Sequence, residues 1–241
     1  MTALRTDGLH SFFRGAAVLL AVLIGCLAIV ALSPMTVLSR LFNVADQYYA
    51  LKFELHFWQY LFSFLAVIIL SRGHLWIYGI NSRNLAVSMQ WLAWLYGAMI
   101  LLVIATELAG IPLLPREYLQ PGMKTQLPLL AMLVYWMSSP VANQILFFSL
   151  VQTVLLKQWG DQFRIGRFPV AVIVASVLFT YGATTSAFAA GQWTALITFA
   201  LGLFCGMVYY RTGSLITPML AHAFVFGFPY FLHLLRSGAW S

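Results

Sequence analysis

Residues 88–108 read SMQWLAWLYGAMILLVIATEL. One charged residue, Glu107, stands in this stretch, next to its end. About 20 mostly apolar residues suffice to cross the hydrocarbon layer of a bilayer as a helix, and within that layer a helix satisfies its own backbone polar groups. The stretch therefore reads as a transmembrane helix. Gly15–Ser33, Phe53–Ser71, Phe168–Ala187, Gly191–Tyr210 and Ser214–Leu235 have the same character. A longer apolar stretch, Gln126–Gln158, is interrupted by Ser138, Ser139 and Pro140. The whole chain agrees: of 241 residues 62% are hydrophobic and 8% charged, with 13 Lys and Arg against 6 Asp and Glu. A soluble domain carries about 25% charged residues, so a soluble globular enzyme is excluded. A disordered chain and a nucleic-acid-binding protein are excluded on the same count. The fold class is all-α, a polytopic transmembrane helical bundle.

Gln126–Gln158 decides the number of spans. It forms either two short spans or one long helix kinked where Pro140 removes a backbone donor, giving eight or seven in total. With seven spans and a cytoplasmic N-terminus, the inner segments 1–14, 72–87, 159–167 and 211–213, with Lys157 at a helix end, hold eight Lys and Arg against five in the outer segments. Basic residues favour cytoplasmic loops, so this arrangement is preferred. Two short spans after the same start reverse the sign, and an external N-terminus restores it. The expected site is a bacterial-type cytoplasmic (inner) membrane.

The connectors divide the chain. Val37–Tyr49 places Val37, Leu38, Leu41, Phe42, Ala45, Tyr48 and Tyr49 on one helical face, a pattern that suits a short helix lying in the membrane interface. Ile111–Pro128, with Pro112, Pro115, Pro121 and Pro128, reads as an irregular external loop. Residues 1–125 thus form a three-helix membrane region, and residues 126–241 a four-helix core. Near the N-terminus, Leu23-Ile24-Gly25-Cys26 resembles a lipoprotein cleavage box, but apolar sequence continues through Leu27–Leu32, so the segment is read as a retained anchor. Cys26 and Cys205 both sit in apolar runs and imply no disulfide framework or metal site.

Polar residues inside a membrane are expensive and mark candidate sites. The acids are badly placed for chemistry: Asp7, Asp46, Glu117 and Asp161 fall in loops or tails, and Glu54 and Glu107 at helix ends. That argues against a proton-coupled transporter or an ion pump. The deeper polar set is Asn143 and Gln144, the Thr184-Thr185-Ser186 cluster, and His222, with His233 near the far end of the last helix. Hydrogen-bonded packing between helices would account for all of these. Gly202-Leu-Phe-Cys-Gly206 is a small-xxx-small face that permits close helix contact.

The order of motifs from about Gln126 to Phe226 resembles the CPBP family, the CAAX-protease and bacteriocin-processing intramembrane enzymes of the Abi group. That family's first motif is a Glu-Glu pair followed by Phe-Arg-Gly; here the segment reads Pro140-Val-Ala-Asn-Gln-Ile-Leu-Phe-Phe-Ser149. Its second motif, Phe-x-x-x-His, stands here as Phe179-Thr-Tyr-Gly-Ala183. Its third runs from a glycine-rich helix through an Arg-Thr-Gly-Ser-Leu turn into His-x-x-x-Asn; here it is Gly202 to Gly206, Arg211-Thr-Gly-Ser-Leu215, Pro218, His222 and Phe226. The turn and its spacing to His222 are the most specific part. In the family, the glutamates are thought to activate water for attack on a peptide bond, and the histidines and asparagine to stabilise the developing charge.

At the matching positions this chain has Asn143 and Gln144 for the acid pair, Phe148 for the arginine, Ala183 for the first histidine and Phe226 for the asparagine; His222 alone is kept. Carboxamides have no useful basicity near neutral pH. One histidine makes neither a zinc site nor a nucleophile–base pair. The expectation is a non-catalytic relative of the proteases, with no cofactor and no metal. It would act as a scaffold, chaperone or accessory subunit holding another integral membrane protein. Two other readings stand beside it: a hydrolase using displaced residues, such as His222 with Glu54 or Glu107, and a carrier of a lipid, pigment or haem-like group with His56, His74 or His222 as ligand.

Overall fold

The computed structural model describes residues 47–109, 139–183 and 192–225, together with Met137 and positions 13, 14, 16, 17, 20, 21, 24 and 25, all of these last helical. Helix α1 is Gln47–Ser71. A 3-10 turn, Leu75–Tyr78, leads to α2, Leu85–Leu108. Helix α3 runs Ser139–Trp159 and is π-helical over Gln144–Gln152. A small antiparallel hairpin, β1 Arg164–Ile165 and β2 Phe168–Pro169, precedes α4, Val170–Ala183. Helices α5, Gln192–Thr212, and α6, Ile216–Val225, complete the described bundle. Leu85–Thr106, Ser139–Trp159 and Ala195–Thr212 are long and apolar enough to cross a membrane; Leu55–Ser71, Val170–Gly182 and Ile216–Val225 are shorter apolar helices. Each falls on a stretch read as a span.

One expectation is corrected in detail. Gln47–Tyr49, expected to end an interfacial helix, form the first turn of α1; residues 37–46 lie outside the described residues. The kink expected at Pro140 falls at the edge of the described residues, which are helical at Met137 and from Ser139 through Trp159. A further irregularity, not expected, is the π segment, which begins four residues later. That segment is buried at all nine positions, so α3 is the central helix. A helix apolar all round is either buried or faces lipid, and α2 takes the second course: Trp94, Leu101, Ile104 and Leu108 stand exposed along it.

One buried cluster draws on all six described helices around α3, with Val67 of α1, Leu92 of α2, Phe148 of α3, Phe179 of α4, Cys205 of α5 and Val225 of α6. Close approach of α5 rests on its small residues. A methyl added at Gly202 would meet the Ser176 backbone at 3.2 Å, and one at Gly206 would meet Val172 at 2.9 Å and Phe148 at 3.1 Å. The Arg211–Leu215 turn is bound to the α1–α2 connection. Asn81 Nδ2 donates to the carbonyl of Gly213 (2.8 Å), Ser214 Oγ to that of Asn81 (2.8 Å), and the Leu215 amide to that of Gly79 (3.0 Å). Gly79 has φ +81° and lies hard against Tyr209, a position that excludes any side chain.

Candidate functional site

Adjacent residues on a helix point about 100° apart, and Asn143 and Gln144 use that divergence to reach different partners. Asn143 turns to α1, where Gln59 Nε2 donates to its Oδ1 at 2.8 Å; its own Nδ2 donates to Ser139 Oγ at 3.2 Å. Gln144 turns to α6, where its Nε2 lies 3.3 Å from His222 Nδ1. Asn143, Gln144 and His222 are all buried. An amide nitrogen only donates, so Nδ1 is the acceptor, and the proton of the neutral ring sits on Nε2. Held in this way, the imidazole presents a donor rather than a base.

Aromatic rings close the surroundings. Phe179 meets His222 edge-on, with centroids 5.1 Å apart and planes at 89°. Phe148, at the arginine position of the resembled motif, is fully buried and tilted against Phe179 at 5.5 Å. On α1, His56 shares a helical face with Gln59, the partner of Asn143. Cys205 is buried in the same cluster as Phe148 and Phe179, and its thiol donates to the carbonyl of Pro218 at 3.6 Å. The Gln144 carbonyl oxygen is buried without a partner among the described residues.

Of the expected site residues, Gln144 and His222 meet directly and Phe148 joins them through Phe179, while Asn143 points away to α1. Ala183 is the last residue of α4, and nothing more of it is described. Phe226, His233 and the Thr184–Ser186 cluster lie outside the described residues. Gln59 and Cys205 were not foreseen at the site, although a carboxamide in mid-span was itself a signal. His74 is exposed in the α1–α2 connection, beyond the end of α1. Glu107 occupies the helix-end position expected of it, whereas α1 begins at Gln47 and so carries Glu54 about two turns inside the helix rather than at its end; both side chains lie outside the described residues. Asp161, the one acid whose side chain is described, is exposed beside the hairpin. Among the described residues no group of three His, Cys, Asp or Glu side chains could hold a metal ion.

The remaining polar groups of α3 serve packing. Gln152 Nε2 donates to the Gly206 carbonyl at 3.0 Å, Ser149 Oγ to the Tyr78 carbonyl at 2.6 Å, and the hydroxyls of Thr153 and Tyr209 share a hydrogen bond of 2.6 Å.

Residues 125–227 match the family model described as type II CAAX prenyl endopeptidase Rce1-like. The match takes in α3 to α6 and the hairpin, nearly the limits set by the motif order. This segment is a CAAX-protease-type domain of the CPBP kind, and with its apolar helices the chain is an integral membrane protein. No curated protein and no solved structure matches the chain.

Proposed function

We propose that this Rce1-like domain works without catalysis, as an inner-membrane scaffold, chaperone or accessory subunit that holds another integral membrane protein. The observation that carries this reading is the Gln144–His222 contact. Where the family places an acid that could activate water, this chain has a neutral amide that donates to the one retained histidine. Asn143, the second acid position, is taken up in a bond between α1 and α3. The small residues of α5 and the 211–215 turn keep the bundle together while the reacting groups are replaced. The positive-inside rule supports a cytoplasmic N-terminus in this reading: Arg72, Arg83, Lys157, Arg164, Arg167 and Arg211 are all exposed at one end of the bundle.

Extraction of the tagged chain from its native membrane in a gentle detergent, with identification of what co-purifies, tests the reading. One integral membrane protein recovered in constant proportion is the expected result. Recovery of partner-free protein alone contradicts it.

A further inference from the structure

We propose that the hairpin Arg164–Pro169 and the basic ring around it form a binding surface for the phosphates of anionic phospholipids. The hairpin links the end of α3 to the start of α4, so it sits where the hydrocarbon layer gives way to headgroups. Ile165 and Phe168 are cross-strand partners, and Phe163, two residues before Ile165, falls on the same side. All three are exposed, Ile165 to 64%. Arg167 stands at the turn beside Gly166, whose φ of +61° the tight connection requires. An apolar face flanked by cations is the pattern of an element that dips into the interface of an anionic leaflet.

The surrounding charges supply the complement. Arg72, Arg83, Lys157, Arg164, Arg167 and Arg211 are exposed at this end, and Asp161 is the one acid among the described residues there. Asp161 is bound to Arg164, which leaves the other five cations unopposed by a described carboxylate. Four of the six are seated over aromatic rings: Arg83 over Trp76, Lys157 over Tyr78, Arg164 over Tyr210 and Arg211 over Trp91. Such seating orients a cation at headgroup level. Contacts between the loops bind this end into one surface, with Asn81 bonded to Gly213 and Lys157 against Tyr78.

The test uses the full chain, purified from membranes containing phosphatidylglycerol and phosphatidylethanolamine, with quantification of the lipids retained after detergent washing. The expected result is enrichment of phosphatidylglycerol by about fivefold or more over its share of the membrane, the scale of a single cation near an anionic surface. The triple variant Arg72→Gln, Lys157→Gln, Arg167→Gln is expected to lose most of that enrichment while keeping its elution volume. A fluorophore on Ile165→Cys, in a Cys26→Ser background and in phosphatidylglycerol nanodiscs, is expected to be quenched by brominated lipid. Retention of lipids in proportion to the membrane overturns the proposal. So does a fluorophore quenched only from water, or one shielded only when an acidic peptide is added.

Discussion

The side-chain amide of Gln144 lies 3.3 Å from Nδ1 of His222, across seventy-eight positions of sequence. Each residue of this pair decides what the other can do. A carboxylate in place of the amide would accept a proton; the amide donates one, and so occupies the lone pair through which the imidazole would act as a base. Phe179 and Phe148 fill the space around them. The pair is thus a bond between α3 and α6 in an apolar setting.

Its neighbour, the Gln59–Asn143 bond, ties α1 to α3. In a double-mutant cycle of Gln59→Ala and Asn143→Ala, the coupling energy should be favourable, at about 0.5–2 kcal/mol, the range for hydrogen bonds between membrane helices. Thermal unfolding in detergent measures it. Additive losses would show that the two amides do not act on one another.

Phe148 fills a fully buried position four residues after Gln144. Phe148→Arg places an unpaired charge there and should cost about 3–5 kcal/mol, seen as a lower unfolding temperature and lower yield. Addition of Gln144→Glu should recover part of that loss. A Phe148→Arg chain as stable as the parent would mean that the position opens to water.

Glycines of similar helical context should respond in opposite ways. Gly206→Ala pushes a methyl to 2.9 Å from Val172 and 3.0 Å from Gln152 Oε1, an overpacking expected to cost about 1–3 kcal/mol. Gly97→Ala, in the interior of α2, meets nothing within 4 Å and should stabilise the chain by about 0.5–1 kcal/mol, the helical preference of alanine over glycine. Comparison of the two unfolding curves checks both.

The hairpin predicts a response to acid. Hydrogen bonds from Tyr210 and Arg164 hold the Asp161 carboxyl below the usual carboxylate range. Because the folded value is the lower one, the contribution is complete above the ordinary carboxylate pKa and is lost as pH falls through the depressed value. Proton-linked stability from this group should therefore be flat between pH 5 and 8, on the scale of carboxylate titration. Asp161→Asn should lower stability at neutral pH, where the ionised carboxylate contributes in full, and abolish the acid-side slope, so that the two chains converge as the pH falls. Unfolding followed from neutral to acid pH in both chains provides the comparison.

The helical bundle was legible because a bilayer sets a simple length and polarity rule, which stretches such as residues 88–108 obey. His222 was legible as a candidate as well, since it follows the turn Arg211–Leu215 at a short, fixed spacing. What could not be read was direction. Adjacent Asn143 and Gln144 look equivalent along the chain, and only packing sends one to Gln59 and the other to His222. Gln59 was hidden because its span was judged by its apolar majority. The π segment was hidden because Pro140 invited a kink at itself, whereas the departure from α geometry falls within the buried helix beyond it. The hairpin escaped notice because two residues a side carry too little pattern to stand out from a basic loop.

The most direct test of the central claim is cleavage. The full chain in nanodiscs, incubated with a fluorogenic prenylated peptide, should release no more product than empty nanodiscs. Turnover above that background, abolished by His222→Ala, would contradict the account.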